Sequence, residues 1–171
     1  MDFIRSLIRD VPDFPAPGIL FRDVTPLLAD AGAFRAVVRH LAEPARRMGV
    51  EVVAGVEARG FIFGAPLAIE LGASFVPVRK SGKLPAVAIQ REYSLEYGSN
   101  HLEMHRDALR PGQRVLLVDD LLATGGTARA AVEMIRELGG DLVAVYFAIE
   151  LTALGGRAHL PGVDVFSLLK Y

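Results

Sequence analysis

The sequence predicts an α/β fold, a doubly wound and mainly parallel sheet flanked by helices, with an inserted antiparallel hairpin and flexible loop. Three observations predict it. Short continuous apolar runs at 52–56, 75–78, 115–118 and 142–149 read as strands buried on both faces. Segments with helical spacing separate them, with stops at Gly72 and Gly139-Gly140. Between Arg79 and Pro111 the pattern changes to short polar–apolar alternation, the mark of antiparallel strands. The 171 residues contain no repeat, linker or low-complexity tract and fit one domain, residues 1–171, with an N-terminal segment at 1–30 and a core at 31–171.

Each element follows in turn. Phe3, Ile4, Leu7 and Ile8 predict a short N-terminal helix. Pro12, Pro15 and Pro17 then force an extended segment that ends in Gly18 and the apolar run Ile19-Leu20-Phe21. Thr25-Pro26 reads as an N-cap with proline at the first helical position. A longer helix is expected from near Asp30, with Phe34, Val37, Val38 and Leu41 inward, ended or kinked by Pro44. The strand at 52–56 leads into a crossover helix over 61–71, and 75–78 is the next strand. Segments 87–89 and 101–104 should pair around a loop at 94–100. Pro111-Gly112 turns into the strand 115–118, which is expected to stop at Asp119-Asp120. Thr127 opens a helix running to Leu138, and 142–149 and 163–169 are the last strands.

Composition removes several function classes. A net charge of −1 argues against a nucleic-acid partner held by overall electrostatics. The chain has no cysteine, so disulfides, thiolate metal sites and cysteine nucleophiles are excluded. No cationic leader and no membrane-length apolar run is present, so a cytoplasmic protein without a membrane partner is expected. His40, His101, His105 and His159 lack metal-ligand spacing and form no Ser-His-Asp arrangement. They read as structural or surface residues, with His105 the one candidate to support the hairpin loop.

The most informative stretch is 115–127, an apolar strand, two adjacent carboxylates, then Ala123-Thr124-Gly125-Gly126-Thr127 at a helix start. Backbone N–H groups and two hydroxyls there face an anion favoured by the helix dipole, while Asp119 and Asp120 offer a grip for a diol. A ribose 5-phosphate carries both features. The alternative is an ordinary βα turn with Thr124 as N-cap and Asp119 as a strand-end carboxylate. Adjacent carboxylates at the edge of an apolar core repel and are costly unless satisfied, which favours the ligand reading. The P-loop lysine and the G-x-G-x-x-G spacing are both absent.

Other loops fall on the same sheet edge. Arg59, in Glu57-Ala58-Arg59-Gly60, could fork a pyrophosphate; alone it reads as a surface arginine. Arg79-Lys80-Ser81-Gly82-Lys83 is a basic island after a strand, suited to a leaving pyrophosphate. Residues 93–98, with Tyr93, Glu96 and Tyr97, read either as a packed hairpin tip or as a flexible loop closing over reactants. Residues 14–23 form a proline-set apolar loop able to stack a planar base; otherwise they cover the core. One residue's C=O and N–H match adenine's amino donor beside a ring-nitrogen acceptor, a pattern a 6-oxopurine reverses.

The stretch at 119–127 resembles the phosphoribosyl pyrophosphate motif of the type I phosphoribosyltransferase family. Residues 14–23, Arg59-Gly60-Phe61, Arg79-Lys80 with Gly82-Lys83-Leu84-Pro85, 93–98 and Glu150-Leu151-Thr152 stand in the order seen in that family's adenine-specific members. The resemblance implies a purine salvage enzyme that transfers phosphoribosyl from magnesium–phosphoribosyl pyrophosphate to adenine, giving AMP and pyrophosphate, and works as a homodimer. It assigns the ribose hydroxyls to Asp119 and Asp120, directly or through Mg2+, and the 5-phosphate to Ala123, Thr124, Gly125, Gly126 and Thr127. It assigns pyrophosphate to Arg59, Arg79, Lys80 and Lys83, some of them across the dimer. The backbone around Leu20, Phe21 and Arg22, with Leu151, would enclose adenine, making 1–30 a base-binding hood. Glu96 would handle the proton at adenine, with Tyr97 beside it. A different purine acceptor and a non-catalytic phosphoribosyl pyrophosphate sensor are the alternatives.

Overall fold

The computed structural model describes residues 1–94 and 99–171. In chain order these form α1 (Asp2–Ser6), β1 (Arg9–Val11), β2 (Phe21–Asp23), α2 (Thr25–Ala29), α3 (Ala31–Ala45), β3 (Val52–Val56), α4 (Arg59–Leu71), β4 (Ser74–Lys80), β5 (Ala88–Ser94), β6 (Ser99–His105), β7 (Arg114–Leu122), α5 (Gly126–Glu137), β8 (Asp141–Glu150) and β9 (Val165–Lys170). A seven-stranded sheet has the order β5-β6-β4-β3-β7-β8-β9. Its five strands from β4 to β9 run parallel, and the β5–β6 hairpin joins β4 antiparallel at one edge.

Alternation along the central strands builds two cores. Val115 and Leu117 point to the face covered by α5, packing with Ala131, Met134 and Ile135. Leu116 and Val118 point to the other face, against Val37 and Leu41 of α3 and Phe63 and Leu67 of α4. Both faces are therefore covered, as the continuous apolar runs require. Because the strands are parallel, their carboxyl ends share one edge, where doubly wound sheets bind ligands.

Several predicted boundaries move. β7 does not stop at the acidic pair. β8 extends to Glu150 and pairs with Leu121 and Leu122, so the ladder carries the strand past Asp119 and Asp120. α4 starts at Arg59, two residues early, which puts that arginine on the helix's first turn rather than in a loop. β5 and β6 stay in register from Ala88↔His105 to Ser94↔Ser99, shortening the predicted loop to 95–98, which lies outside the described residues. His105 stands at the far end of that hairpin from the loop, so it does not support the loop.

At the N-terminus, β1 and β2 pair as an antiparallel ribbon that apolar patterning does not predict. Thr25 is not the cap of α2. It is the first helical residue, Val24 is the N-cap, and Asp23 accepts from the Thr25 N–H (2.9 Å) and hydroxyl (2.8 Å) just before the helix. Asp30 caps α3 through the Ala33 N–H (2.8 Å), and Pro44 sits in the last turn before a 3-10 segment, Arg46–Met48.

Candidate active site

Three strand ends meet at a cleft of about 510 Å³, lined among others by Arg59, Lys80, Tyr93, Asp119, Asp120 and Thr127. A smaller hollow of about 70 Å³ continues along 121–128. In that hollow Gly125 takes a left-handed conformation (φ +86°) that turns the chain into α5 at Gly126. The first N–H groups of α5 have no helical acceptor, and they lie beside the hydroxyls of Thr124 and Thr127. Ala123, Thr124, Gly125, Gly126 and Thr127 therefore line one hollow at the start of α5.

The acidic pair sits at the floor of the cleft. Asp119 is half-buried and its Oδ1 accepts from the Asp120 N–H (2.9 Å). Asp120 is buried and its Oδ2 lies 2.6 Å from Arg59 Nε. Desolvation pushes the Asp119 carboxyl well above the usual range, and the neighbouring Asp120 charge adds to it. Desolvation also raises Asp120, against the pull of Arg59. Burial thus disfavours both charges at the cleft floor. The approach of α4 depends on Gly60, since a Cβ there would stand 2.8 Å from the Val118 carbonyl and 2.9 Å from Asp119 Oδ1.

The basic residues divide. Arg59 and Lys80 line the cleft. Arg79 is committed elsewhere: its Nε donates to Glu57 Oε2 (3.1 Å) and its NH1 to the Lys83 carbonyl (2.7 Å). Burial works against the Glu57 charge, but Arg79 and the Lys80 N–H outweigh it and hold the carboxyl below its ordinary value. Lys83 is exposed on the following turn and does not line the cleft. That turn is pinned by the buried Glu103, which accepts from Ser81 Oγ (3.0 Å) and the Gly82 N–H (3.0 Å). Of the island, Lys80 is the member that lines this chain's own cleft.

Tyr93 is also not a loop residue. It is buried on β5 and lines the cleft with Asp119 and Thr127. Burial pushes its phenol up, the Asp119 charge adds to this, and a hydrogen bond with Thr127 opposes it. Glu96 and Tyr97 lie outside the described residues.

The N-terminal segment approaches Arg59 with Phe21. Phe21 packs edge-on against Phe14, with ring centroids 5.1 Å apart, and the Arg59 guanidinium lies 5.3 Å from its ring centroid. Arg22 is turned away, paired with Asp10 and 4.1 Å from the centroid of the Tyr171 ring, so only its backbone remains available to a base. Leu20 is exposed, and Leu151 is half-buried, its N–H donating to the Leu122 carbonyl (2.9 Å). Sequence patterning missed Glu57, Gly60 and Glu103. A carboxylate directly after an apolar strand, and a glycine one residue inside a helix, were the signals that pointed to the first two.

Among the described residues no cluster of three His, Asp or Glu side chains forms a metal site. The Asp119–Asp120 pair supplies two carboxylates at an open cleft, which fits a divalent cation that arrives with further oxygen ligands of its own.

Comparison with known proteins agrees with this geometry. The phosphoribosyl transferase domain model matches residues 27–158. The adenine phosphoribosyltransferase of Solibacter usitatus is 57% identical over 171 residues, covering 100% of this chain and 99% of its own. The crystal structure of adenine phosphoribosyltransferase from Thermoanaerobacter pseudethanolicus is 51% identical with a TM-score of 0.97, covering 99% of both chains. The Saccharomyces cerevisiae enzyme, complexed with an imino-altritol bisphosphate and adenine, is 40% identical with a TM-score of 0.93, covering 98% of this chain and 97% of its own.

Proposed function

The chain belongs to the adenine phosphoribosyltransferases of the type I phosphoribosyltransferase family, and from that premise we propose how its residues share the reaction. The enzyme transfers the 5-phosphoribosyl group of phosphoribosyl pyrophosphate to adenine, giving AMP and pyrophosphate. One observation carries the assignment of roles: a diol-gripping acidic pair, a phosphate cradle and two cations share one cleft, with Phe21 against one of those cations.

The cradle at 123–127 holds the 5-phosphate by backbone N–H groups and the two threonine hydroxyls. Asp119 and Asp120 accept from the ribose hydroxyls, which relieves the desolvation that raises their pKa values. Arg59 and Lys80 face the pyrophosphate. As its bond to the anomeric carbon breaks, adenine N9 bonds to that carbon and gives up its proton. Rigid placement of the ribose and fixed positive charge at the departing oxygens lower the barrier together. The ring of Phe21 and the backbone near Arg22 form the adenine side, which makes the 1–30 segment the base-binding part of a single domain. Glu96 is assigned the N9 proton, with Tyr97 next to it in the sequence.

Mg2+ fits the acidic pair as a cation brought by the substrate, where it would neutralise charge on pyrophosphate and ribose oxygens. A cytoplasmic homodimer is part of the same reading. Among the described residues no helix is long and apolar enough to cross a membrane.

The test is nucleotide formation from magnesium, phosphoribosyl pyrophosphate and, separately, adenine, hypoxanthine, guanine, xanthine, uracil and orotate. AMP from adenine is expected to dominate. No AMP, or faster product from a 6-oxopurine, refutes the reading.

A further inference from the structure

The rear of the phosphate cradle rests on a second turn, which carries no role in the reaction described above. Gly155 (φ +63°) leads into a 3-10 segment, Gly156–His159, that presses directly on the cradle backbone. A Cβ at Gly125 would stand 2.4 Å from the Gly156 carbonyl oxygen, and one at Gly156 only 2.3 Å from the Ala123 carbonyl oxygen. Both clashes are with backbone, which cannot rotate aside. Two glycines therefore allow two backbones to touch, and the position of one sets the position of the other.

The next residue fixes that turn. Arg157 forks onto Glu150, the last residue of β8, with Nε–Oε1 at 2.6 Å and NH2–Oε2 at 2.7 Å. Its NH1 also donates to the Val165 carbonyl at the start of β9 (2.8 Å). Glu150 is 5% exposed, and the Arg157 hydrogen bonds hold its carboxyl below the ordinary range despite burial. A paired, two-pronged contact of this kind fixes geometry as well as charge. Glu150 itself pairs with Leu122 in the β7–β8 ladder, so the clamp hangs from the strand that carries the acidic pair.

We propose that Glu150 and Arg157 are positioning residues for the 5-phosphate, acting through Gly156 on the backbone of Ala123 and Gly125. This rests on the assignment of the cradle to the 5-phosphate. Neither side chain lines the cleft or the hollow; the clamp holds the wall against which the cradle N–H groups are aimed. A loosened clamp should weaken phosphate binding while leaving adenine binding intact.

Initial rates of AMP formation, with each substrate varied against saturating levels of the other, test this. Gly156→Ala and Arg157→Lys, which keeps the charge and loses the fork, should each raise KM for phosphoribosyl pyrophosphate about tenfold. KM for adenine should stay within about twofold of the parent value. The Kd for ribose 5-phosphate, measured by calorimetry, should rise in parallel. Arg114→Lys is the control. Arg114 bridges Asp141 at the opposite ends of β7 and β8, where a purely structural pair should lower Tm without moving either KM. If Gly156→Ala does not fold, Arg157→Lys alone decides the matter. A folded Arg157→Lys protein with unchanged KM for phosphoribosyl pyrophosphate, or with both KM values raised equally, overturns the proposal. Failure of the parent protein to form AMP would refute the functional reading instead, and ribose 5-phosphate binding would still decide the role of the clamp.

Discussion

The two walls of the cleft are held by different forces. On the donor wall, Asp119 and Asp120 sit inside a continuous ladder between β7 and β8, with α4 pressed on them through Gly60 and Arg59 at 2.6 Å. On the acceptor wall, a ribbon of three residue pairs, β1 and β2, carries Phe21. Phe14 (50%) and Leu20 (44%) beside it are exposed, and surface ion pairs such as Arg9–Asp23 (2.6 Å) brace it. Exposed pairs of that kind contribute at most about 1 kcal/mol each. On the proposed assignment of the walls, the contrast follows from the chemistry of the two substrates. A ribosyl donor that loses pyrophosphate needs fixed, desolvated charge aimed before it arrives. A neutral planar base needs apolar area, which a small adjustable element can supply.

Breaking the donor wall should have the largest effect. Asp119→Asn combined with Asp120→Asn removes both charges at nearly constant volume, and kcat/KM for AMP formation should fall about 10³-fold. Far-UV circular dichroism should be unchanged. Near-normal activity would show that the pair does not grip the ribose. The acceptor wall should respond more weakly and more selectively. Phe21→Ala removes the contact with Phe14 and the ring beneath Arg59. A loss near 1.4 kcal/mol would raise KM for adenine about tenfold. KM for phosphoribosyl pyrophosphate should hardly move. Equal changes in both constants would mean that Phe21 acts through Arg59 on the donor wall and that the walls are not separate.

The same division decides how much could be read from the sequence. The donor wall is contiguous: strand, acidic pair, glycine turn and helix start lie within 115–127, so local rules recover it, down to the left-handed Gly125. Its one misreading, a strand ending at Asp119, arose because ladder pairing with Leu121 and Leu122 is non-local. The division of the basic island has a related cause. Arg79 is captured by Glu57, 22 residues earlier, and the turn carrying Lys83 is pinned by Glu103, 20 residues later. Neither partner announces itself by spacing. The β1–β2 ribbon escaped notice because its pairing is made by Arg9, Asp10, Arg22 and Asp23 as much as by apolar residues. The clamp behind the cradle joins 122–125 to 150–157, a contact that only packing reveals.

The walls should also differ in the sign of their effect on stability. Asp119 has a raised pKa, so the folded state favours its protonated form. Its contribution to stability is present below the ordinary carboxylate range and is lost as pH rises through the raised value. At neutral pH its ionised form therefore costs stability. Asp119→Asn keeps an oxygen able to accept from the Asp120 N–H and removes that cost. It should therefore raise Tm at pH 7 to 8, at about 2–4 °C per kcal/mol recovered, and the gain should shrink towards pH 4. Asp23, at the foot of the acceptor wall, behaves oppositely. The Thr25 N–H and Arg9 hold its pKa down, so it stabilises above the ordinary range and that contribution is lost on acidification. Asp23→Asn should lower Tm at neutral pH, and the loss should fade in acid. Opposite signs in thermal melts across pH 4 to 8 would confirm that only the donor wall gives up stability for function. If Asp119→Asn also lowers Tm at pH 7, its carboxylate is satisfied without a ligand, and the account of a charge held ready for ribose fails.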